Sequence, residues 1–295
     1  MKLKIKLLNI LKSIESLLKV LVLSKFRNIL ATQKRTNKSC IILGNGPSLT
    51  QSIQKYKDEL AHFDLICVNN FVISDYFVQL KPNFYLLAAP LYFLPDNKIS
   101  KTYIDIRNTV FQSLKEKTTW ELNLMVPFMA KNSSYFHEMC ISNKNIKPLY
   151  FNQTPVEGNN LLTDFLFRKG LGMPRPHNVL IPAIMNGIYL NYKKIYILGA
   201  DHSWLPEISV NSKNEALVNQ KHFYDENESE PQKMEDYIVR PRKLHEIIHK
   251  FYLTFRGYWE IDNFAKKNNI EIYNASETSM IDAFQRKQIK ENSEK

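Results

Sequence analysis

Residues Ser39-Cys-Ile-Ile-Leu-Gly-Asn-Gly-Pro-Ser-Leu49 join a short apolar run to a glycine-rich turn. Cys40 to Leu43 has the length and composition of a buried strand, and Gly44 bounds it. Gly44, Asn45 and Gly46 then make a tight turn, and Pro47 suits the first turn of a helix. Glycine lets backbone amides approach a ligand closely, and a helix N-terminus presents unpaired N–H groups at a positive dipole end. The expectation is a phosphate cradle over Gly44–Ser48. Leu49 stands where a third glycine would complete a dinucleotide fingerprint, so the spacing is a variant of that motif.

Further strand-like runs follow at Asp64–Val68, Phe84–Ala88, Leu122–Val126, Leu149–Phe151, Lys194–Leu198 and Ile270–Tyr273. Residues 48–60, 104–116 and 178–191 between them have helical patterning, as do 240–268 and a closing stretch over 278–288. Such alternation implies an α/β fold, a single Rossmann-type and mostly parallel sheet flanked by helices. Ligands bind beyond the carboxyl ends of the strands in such sheets, which directs attention to Gly44–Ser48, Asn69–Asn70, Ala88–Pro90 and Gly199–Trp204.

Asn69 and Asn70 stand where a NAD-dependent enzyme usually places an acidic residue on the ribose, which argues against a dehydrogenase. After the strand Lys194–Leu198 come Gly199, Ala200, Asp201, His202, Ser203 and Trp204. Asp201 suits ribose binding, orientation of a backbone amide or proton transfer, or else caps a turn. His202 suits donation to a phosphate or titration near neutrality. Residues 205–236 are polar and lean acidic, and contain the compact cluster Lys221-His-Phe-Tyr-Asp225. A long irregular insertion of this kind reads as a lid, extending to about residue 243. His245 and His249 share one helix face, yet no H-E-x-x-H, D-x-D, G-x-S-x-G or Walker-type motif accompanies them, and no metal site is expected.

The net charge is +11 over 295 residues, but the first 40 residues carry ten basic side chains and only one acid, Glu15. The remaining body is almost neutral, which excludes a basic nucleic-acid stripe. Residues 1–33 repeat Leu7, Ile10, Leu11, Ile14, Leu17, Leu18 and Leu21 at helical spacing with lysines on the other face. Lys12 and Lys19 interrupt the apolar stretch, so neither a membrane span nor a signal peptide is expected. The readings are an in-plane helix on an anionic inner-membrane surface, or a helix packed on the body or on a second copy of the chain. The domains expected are a basic helix and linker over 1–38, an α/β domain over 39–288 and a charged tail over 289–295. Cys40, Cys67 and Cys140 have no metal-type spacing and imply a reduced, cytoplasmic protein.

Taken together, Ile42-Leu-Gly-Asn-Gly-Pro-Ser-Leu49, Val68-Asn-Asn-Phe71 and Tyr192-Lys-Lys-Ile-Tyr-Ile-Leu-Gly-Ala-Asp201 resemble the bacterial sialyltransferases of the Campylobacter lipooligosaccharide type. They also resemble the MptE-like proteins that share the G-N-G-P-S-L start. The likeness covers roughly residues 39 to 285. It implies a GT-A-like nucleotide-binding domain with a lid, a CMP-activated sialic acid as donor, a bacterial surface glycan as acceptor, and no metal or other cofactor. It places Asn45, Gly46 and Ser48 near the donor phosphate and cytidine, with Asn69 on the donor; Gly44, Pro47, Asn70 and Ser203 are expected beside them in the donor site. Asp201 follows the same strand as the family's cytidine-site aspartate. His222-Phe-Tyr-Asp225 looks like a family Tyr-x-Phe-Asp, which assigns His222 and Tyr224 to the phosphate. The chain departs from the family at Ala88-Ala89, where the family has an asparagine, and at Ser203, where it has a tyrosine. The family's lid histidine has no clean match; His245 is the first choice as base and His202 the second. The expected function is a metal-independent glycosyltransferase, peripheral at the inner membrane. The alternatives are an ATP-dependent pterin diphosphokinase, in which Asp201 and Asp225 would hold a metal, and a non-catalytic nucleotide-binding protein.

Overall fold

The computed structural model describes residues 2–26, 30, 38–224, 230–235 and 240–289, with residues 2–5 as backbone only. Its centre is an eight-stranded sheet of β1 (Ser39–Leu43), β2 (Asp64–Val68), β3 (Phe84–Leu86), β4 (Leu122–Pro127), β5 (Ile146–Phe151), β6 (Lys194–Leu198), β10 (Glu271–Asn274) and β11 (Gln285–Arg286). The order is β11-β10-β6-β1-β2-β3-β4-β5, and every neighbouring pair runs parallel. The α/β expectation of a parallel sheet flanked by helices is met.

The apolar runs are continuous because both faces of the sheet are covered. In β1, Cys40 and Ile42 face one core with β6 and α8 (Leu180–Tyr189), while Ile41 and Leu43 face the other. The second core is closed by α2 (Leu49–Lys55), α5 (Lys101–Lys117) and α6 (Ser134–Ser142). Helix α8 is buried along its whole length and is covered in turn by α9 (Leu244–Lys267). The chain builds outward from β1 through β5 and then returns to β6 on the other side of β1. The crevice between the carboxyl ends of β1 and β6 is therefore the topological switch point.

Several expectations need correction. Residues 48–60 form two helices, α2 and α3 (Lys57–Leu60), which break at Tyr56. The closing stretch 278–288 is not a helix. Its hydroxyls bond backbone and side chains instead: Ser279 Oγ donates to Ala200 O at 2.6 Å, Thr278 Oγ1 donates to Asp201 Oδ1 at 2.6 Å, and Ile281 N–H donates to Ser279 Oγ at 3.1 Å. Serine and threonine that capture backbone in this way compete with helix formation, and here they lash the segment to the β6 loop. The insertion expected to be irregular holds a small antiparallel sheet of β7 (Ile208–Val210), β8 (Ala216–Val218) and β9 (Gln232–Lys233). Asp225, residues 31–37 of the linker and residues 290–295 of the tail lie outside the described residues.

Helix α1 (Lys2–Leu23) docks on the body through a polar stripe. Ser16 Oγ donates to Glu157 O at 2.7 Å and accepts from Glu157 N–H at 2.8 Å, and Ser24 Oγ donates to Leu171 O at 2.6 Å. Gly158 makes the approach close: a β-carbon there would stand 2.4 Å from Ser13 Oγ. Glu157 lies at the centre of the junction, 2.8 Å from Lys12, 3.5 Å from Arg175 and 3.4 Å from Arg256. Burial alone would raise its pKa, but the three cations outweigh it and hold the carboxyl at about 2.

The junction has a pH signature. Because the folded pKa is depressed, the stabilisation is present above the ordinary carboxylate value of 4.5 and is lost as pH falls towards about 2. Glu157→Gln should cost about 2 kcal/mol at neutral pH, and the difference from the parent protein should vanish in acid. Thermal unfolding across pH, with limited proteolysis after α1, reads both effects.

Candidate functional site

A cavity of about 320 Å³ opens at the switch point. Its walls come from the turn after β1 (Gly44, Asn45, Gly46, Pro47), the start of the loop after β2 (Asn69, Asn70), the loop after β6 (Gly199, Asp201, His202, Ser203, Trp204), His177 and Asn178 before α8, the segment Gln220–His222 with Tyr224, and Lys250 and Thr254 of α9. Of the site residues expected from sequence, the structure brings together Gly44, Asn45, Gly46, Pro47, Asn69, Asn70, Asp201, His202, Ser203, His222 and Tyr224. Ser48 and His245 are not in this lining.

The amide cradle expected over Gly44–Ser48 is not formed, because the chain satisfies those amides itself. Gly44 N–H donates to Leu198 O and Gly46 N–H to Gly199 O, both at 2.8 Å, and Ser48 N–H donates to Asp201 Oδ2 at 3.2 Å. Asp201, only 2 % exposed, is thus the anion at the start of α2. Its other oxygen accepts from Thr278. The glycines serve the approach of two loops: a β-carbon on Gly46 would meet Asp201 Oδ2 at 2.0 Å, and one on Gly44 would meet Gly199 O at 2.6 Å. Both carboxylate oxygens of Asp201 are engaged, which makes it a positioning residue rather than a free proton carrier.

His202 stands in the left-handed region with φ 53°, as does Asn69 with φ 48°, and both line the cavity. Non-glycine residues adopt that conformation at a cost, and the surrounding contacts hold them in it. His202 Nε2 meets Tyr258 Oη at 2.6 Å and Asn178 Nδ2 at 3.1 Å. Asn178 is oriented by its own Oδ1, which accepts from Ile181 N–H at 3.2 Å and so caps α8. Its amide nitrogen therefore faces His202 and Tyr258, and Nε2 is the acceptor in this group. That leaves the ring proton on Nδ1. Burial pushes the His202 pKa down to about 3, so the ring is neutral at physiological pH. With Nε2 engaged, His202 is suited to donate through Nδ1 rather than to abstract a proton.

His245 is the clearest departure from expectation. It lies exposed on α9, away from the stripe of Ile247, Phe251, Thr254 and Tyr258 that packs inward. Helix periodicity places Lys250, not either histidine, at the edge of that inward stripe. Burial pushes the Lys250 ammonium down to about 8, and Arg242 repels it further. Among the described residues Lys250 has no carboxylate partner, and Asp201 is the one acid in the cavity lining. His177 is held at about 4, first by burial and then by Lys250, Arg175, His249 and Arg242. Its Nε2 is buried without a hydrogen-bond partner among the described residues.

Sequence reading missed His177, Asn178 and Lys250. Asn178 was legible in principle as a cap before the helical run, and Lys250 as the cation beside the apolar stripe of α9.

The opposite wall holds acceptors without donors. Asn45 Nδ2 donates to Val68 O at 3.1 Å, and Asn45 Oδ1 and Asn69 Oδ1 are buried with no hydrogen-bond partner among the described residues. Unpaired buried amide oxygens are costly, and water or a ligand's hydroxyl or amine can satisfy them. Phe223 N–H donates to Asn45 O at 3.1 Å, and the His222 and Tyr224 rings stack with centroids 5.1 Å apart. Among the described residues no group of three or more His, Cys, Asp or Glu side chains is placed to hold a metal ion.

Fold and site define an α/β protein with a cavity of mixed polar and apolar lining at the switch point of a parallel sheet. No protein-family model and no curated protein matches the chain. A solved structure, that of MAf glycosyltransferase from Magnetospirillum magneticum AMB-1, matches with a TM-score of 0.47 and 11 % identity over 87 % of this chain. The chain covers 34 % of that protein's length.

Gly46→Ala should destabilise the fold by about 1–3 kcal/mol in chemical denaturation, because its β-carbon must displace the Asp201 carboxylate. Ser203→Ala, which carries no such clash, should stay within about 0.5 kcal/mol.

Proposed function

We propose that the protein is a glycosyltransferase that takes a sugar from an activated nucleotide donor and passes it to a glycan hydroxyl. The favoured donor is a CMP-sugar carrying sialic acid or a related acid, used without a metal ion. One observation carries this reading: a single cavity combines buried amide oxygens, on Asn45 and Asn69, that have no donor among the described residues with Lys250, a cation that has no carboxylate partner among them. A nucleotide-sugar supplies both complements, through its base and hydroxyls on one side and its phosphate on the other. The three sequence motifs shared with the sialyltransferases support the cytidine and the acidic sugar.

In this mechanism the acceptor oxygen bonds to the anomeric carbon as the bond from that carbon to the phosphate oxygen breaks. Charge grows on the leaving phosphate and is met by Lys250, by Lys221 and by the neutral His202 through Nδ1–H. His222 and Tyr224 flank the same group. The acceptor's proton passes to His177 Nε2, which is unprotonated at neutral pH and has no competing donor. Asp201 holds the two strand-end loops in register. This replaces the base assignment to His245.

A thermal-shift panel of CMP, CDP, UDP, GDP, ATP with Mg²⁺, and NAD, each with and without EDTA, tests the donor. CMP at one hundred times its dissociation constant should stabilise by about 2.7 kcal/mol, with or without EDTA. A response confined to ATP with Mg²⁺, or to NAD, overturns the reading.

Lys250→Ala should weaken CMP binding by about ten- to a hundredfold. In the parent enzyme kcat/KM should fall above pH of about 8, as the ammonium loses its proton, and Lys250→Arg should remove that limb. His177→Ala should cut kcat by about 10²–10⁴-fold with KM little changed, whereas His245→Ala should leave both near the parent values.

A further inference from the structure

Helix α1 is mounted the wrong way round for a helix that serves its own core. The side it turns to the body is the small polar stripe of Ser13, Ser16 and Ser24, and of its side chains only Val20 joins the main apolar cluster. The side it turns outward carries Leu7, Ile10, Leu11, Ile14, Leu18 and Leu21, each 51–67 % exposed. Polar docking fixes the rotation of the helix, so the apolar side cannot roll inward without breaking the bonds to residues 152–159 and Leu171.

Charge decides what covers this face. The helix and the residue after its end carry Lys2, Lys4, Lys6, Lys12, Lys19 and Lys25 against one acid, Glu15. Lys12 pairs with Glu157 and Lys19 with Glu15, while Lys6 and Lys25 are exposed at the two ends. A second copy of so basic a helix would bring like charge against like, whereas an anionic lipid surface supplies both an apolar layer and negative headgroups. The width of the apolar face agrees. Leu7, Ile10, Leu18 and Leu21, with Leu8 and Val22, span about half the helix circumference at 100° per residue, broader than the narrow seam of a zipper. No helix among the described residues is long and apolar enough to cross a membrane, which leaves the in-plane arrangement.

We propose that α1 is an in-plane anchor that lays its outward face of Leu7, Leu11, Ile14, Leu18 and Leu21 into an anionic lipid interface. The serine stripe holds the globular body behind it. Glu157 joins Lys12 of the anchor to Arg175, two residues from His177 in the cavity wall. This goes beyond the proposed reaction and is read out without it.

The test is co-sedimentation of the full chain with vesicles of phosphatidylglycerol and phosphatidylcholine, against phosphatidylcholine alone, at low and high salt, with solution mass measured in parallel. The parent protein should partition onto the anionic vesicles, and high salt should weaken that partition. Leu11→Gln/Leu18→Gln should reduce it by about tenfold or more, with an unchanged circular dichroism spectrum and thermal midpoint. If the double variant is poorly folded, Leu21→Gln replaces it, and a reduction of about threefold is then expected. Failure to bind anionic vesicles overturns the proposal. So does binding that the variants leave intact, or a dimer that the same variants return to monomer.

Discussion

Gly44 N–H reaches Leu198 O, Gly46 N–H reaches Gly199 O, and the Asp201 carboxylate accepts Ser48 N–H while taking the Thr278 hydroxyl on its other oxygen. This seam joins the carboxyl ends of the two strands that flank the switch point. It explains why glycine is needed at 44 and 46, since a β-carbon at either site would overlap the opposing loop. Through Thr278 and Ser279 the seam also draws in the segment after β10, so one set of contacts orders two loops of the cavity wall and ties a third segment behind them. The amides of Gly44, Gly46 and Ser48 are thus spent within the fold.

The same seam bears on the electrostatics of the cavity. Its single acid accepts hydrogen bonds on both oxygens; Lys250 has no carboxylate partner among the described residues, while Lys221 pairs with Glu207, outside the lining, at 3.9 Å. Burial first, and then the charge of Lys250 and Arg175, keeps His177 unprotonated, and burial keeps His202 so. The two histidines differ in their partners: His202 Nε2 is held by Tyr258 and Asn178, while His177 Nε2 is buried with no hydrogen-bond partner among the described residues.

The N-terminal helix follows another logic. Packing usually hides the apolar face of an amphipathic helix and leaves the charged face to water. Here serine hydroxyls and the partly buried Glu157 carboxylate fasten the polar face to the body, which fixes an exposed leucine face in a defined direction. Glu157 also meets Arg175 and Arg256, so α1, the segment before α8 and α9 share one ionic junction.

The sequence by itself determined seven of the eight strands of the main sheet and the switch-point loops. Apolar runs such as Cys40–Leu43, Asp64–Val68 and Lys194–Leu198 bury both faces in a parallel sheet, and Gly44 and Gly199 end their strands. It also determined that α1 and α9 are helices, because local periodicity suffices for that. Only the tertiary structure decided which face of α9 looks inward: packing against α8 brings Lys250 to the cavity and turns His245 outward. It alone decided that the glycine turn bonds the β6 loop rather than a phosphate, since the competing acceptors, Leu198, Gly199 and Asp201, lie more than 150 residues away in sequence. The closing segment was misread for the same reason. Ser276, Thr278 and Ser279 leave helical geometry only when the partners at Ala200 and Asp201 are brought beside them. Local pattern sets what each segment can be, and long-range hydrogen bonds and burial set what each side chain faces.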